Sequence, residues 1–395
     1  MQQLERASPG SPYRGASGIM ETRAYREEEL ASWQRFWLDT ALRAGFPRLT
    51  DLSAPEPAEG VAPAYANVKG NLRWNAAFAF LDLVRSHPGL TILSDTMAEK
   101  LVLRDGQAIS LICHAQGRLV ELRAAQFVLC GGTYGTPLLL LRSGIGPAQH
   151  LQQVGIPARI DLSGVGQNLH DHPGLALCFE PSALGRELLE EDLARHRFFQ
   201  SQVVLRARSR QARAGFDLHL VPYQTVQKGE PARFEILVFA LAPRSRGQVV
   251  LQGKEAHLPP RISFGWLTDA GHQDATALMD GLDLARRLAH EKPVAELLER
   301  EREPGAHVST ISDLVSSAKG SLITYGHAVG TCKMGPRSDP GAVVGNSGQV
   351  YGASNVFVAD ASLVPQIPRA PTNFTCFLIG WQVAEQLSSR LSHAT

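Results

Sequence analysis

A chain of 395 residues with 44% hydrophobic and 19% charged side chains can bury a large core and has the make-up of an ordinary globular protein. Its net charge of +1 gives no reason to expect nucleic acid or an anionic membrane as the main partner. No apolar run approaches the roughly 18 to 20 residues that span a bilayer.

Five scattered cysteines, Cys113, Cys130, Cys178, Cys332 and Cys376, read as reduced and buried, which makes a cytoplasmic setting the expectation. The first residues, Met1 to Arg6, lack the apolar core of a signal peptide.

From Arg26 to Ala44, Leu30, Trp33, Phe36, Trp37, Ala41 and Leu42 recur at helical spacing, with three glutamates first and Gly45 as a stop. This predicts an amphipathic helix, followed by a long loop over 47–70. Leu90 to Leu93 reads as a short strand. Lys100–Leu103, the turn Asp105-Gly106 and Ala108–Cys113 read as a hairpin, and Gln116-Gly117 turns the chain into Leu119–Leu122.

The next strand, Phe127–Cys130, is apolar throughout and is expected to be buried on both faces. Gly131-Gly132-Thr-Tyr-Gly135-Thr136-Pro137 follows as a strand-to-helix bend, its glycines letting something approach the backbone. Ser143-Gly-Ile-Gly146 and Gly164-Val-Gly166-Gln-Asn168-Leu-His170-Asp171-His172 come next. Leu169 prevents the latter from completing G-x-G-x-x-G. The His-Asp-His run could put at most His170 and His172 on one side of an extended segment, and no metal is expected there. Alternating stretches at 216–221 and 234–241 predict an antiparallel sheet, flanked by helices at 184–200 and 273–301.

Near the C-terminus three features relevant to alcohol oxidation fall together. His327, before Gly330-Thr331, is an imidazole able to accept a proton near neutral pH. Val356-Phe-Val-Ala-Asp360 is a strand ending in a carboxylate. Pro371-Thr372-Asn373 opens a helix whose N-terminus would favour an anionic ring.

These motifs resemble the glucose–methanol–choline (GMC) family of flavin-dependent alcohol oxidoreductases. Gly132–Pro137 with Ser143–Gly146 is similar to the family's second signature, and Gly164–His172 to its P-G-V-G-x-N-L-x-D-H element, with Ser163 in place of proline. Pro243-Arg-Ser-Arg-Gly247 resembles the start of its C-terminal domain. His327–Gly335 and Val358–Ser362 are similar to its closing motifs.

The resemblance implies an α/β (α+β) fold: an FAD-binding domain with a central sheet and helices, and a substrate domain with an antiparallel sheet flanked by helices. By matching segments these take 68–172 with 325–395, and 20–67 with 173–324, respectively. The implied reaction takes a small-molecule alcohol to an aldehyde or ketone, with hydride passing to flavin N5. His327 would be the base. Asp360 and Ala361 would contact the ribityl and pyrophosphate region, Ala98 the adenine, and Thr372, Asn373 and Phe374 the pyrimidine side of the ring.

The family places a second His or Asn beside the base. Proline holds that place here at Pro371, so Asn373 is the candidate substitute. The family's opening strand, G-x-G-x-x-G and helix have no counterpart in the sequence. This leads to the expectation of weak or no FAD binding by this chain alone and of an uncovered apolar face. Two alternatives stay open: a flavin-containing hydroxynitrile lyase, and a non-catalytic fragment or half that pairs with a separately encoded N-terminal half. The electron acceptor is not readable, and a membrane-associated quinone enters only by analogy with the family.

Overall fold

The computed structural model describes residues 2–8, 11–54, 58–70, 72–197, 201–226, 231–317 and 321–392. The chain forms two compact units. The first takes Met1–Leu90, His172–Pro243 and Ala270–Tyr325; the second takes Thr91–Asp171, Arg244–Asp269 and Gly326–Thr395.

The division departs from the sequence boundaries at two segments. Residues 68–90 belong to the first unit, where Trp74 donates its indole N–H to the Ile19 carbonyl at 3.1 Å. Residues 244–269 belong to the second, where Gln248–Val250 and Arg261–Ser263 form a hairpin and Leu251 enters the core. Gly247 is required there, because a Cβ would lie 1.9 Å from the Ser263 carbonyl oxygen.

The first unit is built on a seven-stranded antiparallel sheet. Its order is Leu298–Glu303, Pro173–Pro181, Arg233–Ala240, Leu218–Thr225, Val203–Ala207 and Gly60–Pro63, with Ile323–Thr324 also pairing Pro173–Pro181. Alternation along the strands sorts side chains onto two faces. Leu218 and Val238 meet the Gln273–Ala289 helix, and a Cβ at Gly281 would sit 2.4 Å from a Val238 methyl. On the other face Phe239 stacks on Tyr325 with ring centroids 3.8 Å apart, and His219 meets Tyr325 edge-on at 6.0 Å.

Three helical expectations are shortened, the 184–200 one to Ala183–Ala194, with 198–200 outside the described residues. The Arg26–Ala44 reading becomes a 3-10 turn at Glu27–Glu29 and a helix at Ser32–Arg43, because Glu29 accepts from the Arg26 backbone N–H and closes a separate turn. The 273–301 reading stops at Ala289; Leu298–Glu303 is instead the outer strand of the sheet. Within the expected loop at 47–70, Gly60–Pro63 is recruited as the other outer strand.

In the second unit the Asp105-Gly106 and Gln116-Gly117 turns join strands Thr96–Arg104, Gln107–Ala115 and Arg118–Leu122 as the sequence predicts. All four turn residues have positive φ, the geometry that tight hairpins need. Leu90–Leu93 forms no strand and is exposed, because an apolar run without a pairing partner gains nothing from extension.

Phe127–Leu129 pairs in parallel with Val356–Val358, and among the described residues with no other strand. Phe127 and Leu129 are buried, but Val128 is 44% exposed, so the strand is not covered on both faces as expected. The Asn373–Ser392 helix shows the same lack of cover. None of Phe374, Phe377, Leu378 or Ile379 is fully buried. Among the described residues no helix is long and apolar enough to cross a membrane.

Candidate active site

The second unit places three of the seven sequence-predicted site residues, His327, Asp360 and Ala361, on or against one segment, Gly326–Gly335. Residues 168–171 run antiparallel beside it, with His170 and Val329 exchanging backbone hydrogen bonds at 3.2 and 2.9 Å. Asp171, fully buried, accepts the backbone N–H of His327 at 3.1 Å. On its other side the segment binds the turn that follows Asp360. Gly330 donates to the Ala361 carbonyl, Cys332 to that of Ser362 and Met334 to that of Leu363. His327 and the Asp360-Ala361 pair are thus placed by hydrogen bonds to a shared stretch of backbone.

The helix after the glycine bend begins earlier than Pro137 suggests, at Gly132, and runs to Arg142. Proline inside a helix leaves the carbonyl four residues back without a donor. Here that carbonyl is Thr133, and the Thr331 hydroxyl donates to it at 2.6 Å. The Thr133 hydroxyl in turn donates to the Ala328 carbonyl at 2.6 Å. The two threonines stitch the helix start to the backbone just beyond His327.

Asp360 lies two residues past the Val356–Val358 strand, where it caps the Ala361–Leu363 turn instead of ending the strand, and its carboxylate is already engaged. One oxygen accepts from the Gly132 N–H at 2.9 Å and the Thr136 hydroxyl at 2.5 Å; the other accepts from the Ser362 N–H at 2.8 Å. The Thr136 oxygen also accepts from the Gly131 N–H at 3.0 Å, so its own proton must point at Asp360. The carboxylate fixes the glycine bend. The bend itself stays open, since a Cβ at Gly132 or Gly135 would meet nothing within 4 Å.

The remaining predicted residues are spread out. Thr372 is buried and its carbonyl accepts the Cys376 N–H at 3.0 Å; Asn373, exposed, is the first residue of the last helix. Phe374 is half-buried against Phe377 at 5.9 Å between ring centroids. Ile379 of that helix packs on a small cluster of Val329, Val364 and Ile367, close along the chain to His327. Ala98 lies apart. It pairs with Cys113 in the meander, and its carbonyl is 3.5 Å from the Arg142 guanidinium, at the far end of the Gly132–Arg142 helix. At 1.5 Å per residue those 11 residues separate Ala98 from Asp360 by on the order of 15 Å.

Burial pushes the His327 imidazole down to about 4, so it is uncharged at neutral pH and presents an acceptor nitrogen. Burial also pushes His170 down to about 4, with the Arg246 cation adding to the effect. Sequence reading singled out the Asn168–His172 run without assigning its parts. Asp171, Thr133, Thr136 and Thr331 were missed as organising residues, although all lie inside recognised motifs. Nothing in their one-dimensional pattern says which backbone groups they will meet.

Two family models, both described as GMC oxidoreductase, match residues 14–174 and 243–380 and together cover most of the chain. The chain belongs to the GMC oxidoreductase family. It is accordingly a flavin-dependent oxidoreductase that acts on alcohol groups, and FAD is its cofactor.

Among curated relatives, an oxygen-dependent choline dehydrogenase from Photobacterium profundum is 26% identical over 397 residues, spanning 95% of this chain and 69% of its own. One of the same name from Escherichia coli is 29% identical over 378 residues, spanning 89% and 67%. Among solved structures, pyridoxine 4-oxidase from Mesorbium loti is 26% identical with a TM-score of 0.86, covering 98% of this chain and 75% of that one. A fungal aryl-alcohol oxidase at 18% identity and a TM-score of 0.80, covering 97% and 77%, shares the fold. All four are named as oxidoreductases, and the lyase alternative finds no support among them.

Proposed function

We propose that this GMC oxidoreductase oxidises the alcohol carbon of a small polar molecule, with His327 accepting the hydroxyl proton and Asn373 as the second hydrogen-bonding group. The observation that carries this reading is the state of His327. Its ring is desolvated and uncharged at neutral pH, while its backbone is anchored by buried Asp171. A neutral imidazole can accept a hydroxyl proton; an imidazolium cannot. Burial costs the ring basicity but keeps it neutral across the whole neutral range.

The second unit is proposed to be the flavin-binding domain and the first the substrate-binding domain. The bare backbone at Gly132 and Gly135, the exposed start of the last helix and the separation from Ala98 fit an extended dinucleotide. Ala98, Ala361, Thr372, Asn373 and Phe374 would hold it, while Asp360 would act chiefly by shaping the glycine bend. FAD supplies the hydride acceptor when bound. The names of the choline- and pyridoxine-oxidising relatives favour a primary alcohol on a small polar or charged substrate. A cytoplasmic setting is proposed from the scattered, unbridged cysteines, of which Cys113, Cys178 and Cys332 are buried as expected while Cys130 is exposed and Cys376 half-buried. The electron acceptor is left open between oxygen and another carrier.

The test is flavin binding followed by turnover. The purified chain is titrated with FAD by visible absorption, then assayed on a panel of small alcohols with an artificial electron acceptor. His327→Ala is expected to keep whatever FAD affinity the parent shows and to lose about 100-fold or more in rate. Equal rates for parent and variant would refute the base assignment.

A further inference from the structure

His170 is one of the most deeply buried polar side chains of the second unit, and both of its ring nitrogens are committed to backbone. Nδ1 lies 2.7 Å from the Asn168 carbonyl oxygen, and the Ile367 N–H donates to Nε2 at 3.0 Å. A backbone amide can only donate and a carbonyl can only accept. The ring must therefore carry its proton on Nδ1 and leave Nε2 bare, which is one tautomer of the neutral imidazole. The site is built around the ring: at Gly330 a Cβ would lie 2.8 Å from its Cε1.

The surroundings make a knot of separate segments. The Asn168 side chain donates to the Gly330 carbonyl at 3.2 Å and accepts from Arg246 at 3.0 Å, with φ of +60°. The backbone of His170 is bridged to Val329, and Asp171 next to it holds the N–H of His327. The ring reaches across to Ile367, which is buried with Val329 and Val364. Residues 168–171 thus tie the backbone that carries His327 to the turn that leads into Asn373.

We propose that His170 is a positioning residue: as a neutral, Nδ1-protonated imidazole it holds the Val364–Pro371 turn, and with it the start of the Asn373–Ser392 helix, at a fixed place relative to His327. The catalytic meaning of that placement rests on the roles proposed for His327 and Asn373. The placement itself does not. Glutamine is the informative replacement, because its amide can donate to the Asn168 carbonyl and accept from the Ile367 N–H. Leucine fills similar space and can do neither.

Three measurements decide the matter. In the full chain labelled with 15N-histidine, one ring at neutral pH shows a protonated Nδ1 and a bare Nε2, and that signal is missing from His170→Gln. An Nε2-protonated or charged ring at this position overturns the proposal without any variant having to fold. Exchange of the Ile367 amide hydrogen rises about tenfold in His170→Leu and returns toward the parent rate in His170→Gln, while the Val329 amide is unchanged in both. Equal protection of Ile367 in parent and leucine variant overturns the proposal. In alcohol oxidation, His170→Leu lowers kcat with little change in KM and His170→Gln restores it; unchanged kcat with an unprotected Ile367 refutes the positioning role. A parent chain that oxidises no alcohol would count against the reading of His327 as base, and the first two measurements would still decide on His170.

Discussion

The carboxylate of Asp360 offers a test of the site's architecture that does not depend on catalysis. Asp360→Asn keeps the shape and removes the charge and one acceptor. The amide has two orientations. With its oxygen facing Gly132 and Thr136, it keeps both of those bonds in weakened, uncharged form and turns its NH2 against the Ser362 N–H. The reverse orientation loses the Gly132 bond and the bond donated by Thr136, so the first is preferred. One charge-assisted bond is then lost with its donor left buried, and two are weakened, a destabilisation of about 2 to 3 kcal/mol. For a unit of this size that is on the order of 8 °C in Tm. Asp360→Ala loses all three bonds and falls further. The assay is urea unfolding of parent, Asn and Ala variants, with Thr136→Val as a control that removes the single hydroxyl. An Asn variant within about 0.5 kcal/mol of the parent, or one as unstable as Ala, would refute the idea that these three bonds hold the glycine bend.

Other expectations concern pH and backbone. His327 and His170 both have folded values near 4, below the ordinary 6.5, so the fold favours their neutral forms. Their stability contribution is complete above pH 6.5 and is lost as pH falls from 6.5 toward 4, by at most about 1.4 kcal/mol per pH unit for each ring. Urea midpoints at pH 7 and pH 5 check this, and replacing either ring by glutamine should flatten the dependence. Gly166 has φ of +80°, and a Cβ there would lie 2.2 Å from the Val249 carbonyl oxygen. Gly166→Ala is therefore expected to cost roughly 2 to 4 kcal/mol, read as a fall in the urea midpoint. A neutral result would mean that the Gly164–Asn168 turn can relax away from the Gln248–Val250 strand.

The sequence by itself determined what depends on near neighbours. The turns at Asp105-Gly106 and Gln116-Gly117, the meander they join and the strand before Asp360 need only local propensity and alternation, and all were readable, the last with its end two residues too late. The motifs that announce the family were readable as well, and with them the cofactor and reaction class. Tertiary structure decided where distant chain supplies a partner. The helix could start at Gly132, ahead of Pro137, only because the Thr331 hydroxyl satisfies the carbonyl that the proline strands. Leu90–Leu93 has a strand's composition but found no partner to pair with. Asp360 reads as a ligand-binding carboxylate, yet its oxygens are taken up by Gly132, Thr136 and Ser362. His170 sits in a run whose partners the sequence does not name, and folding gave it two backbone ones, one of them nearly 200 residues away. In each case the deciding quantity is hydrogen-bond satisfaction of buried groups. The donors and acceptors are written in the sequence, but only the fold says which of them meet.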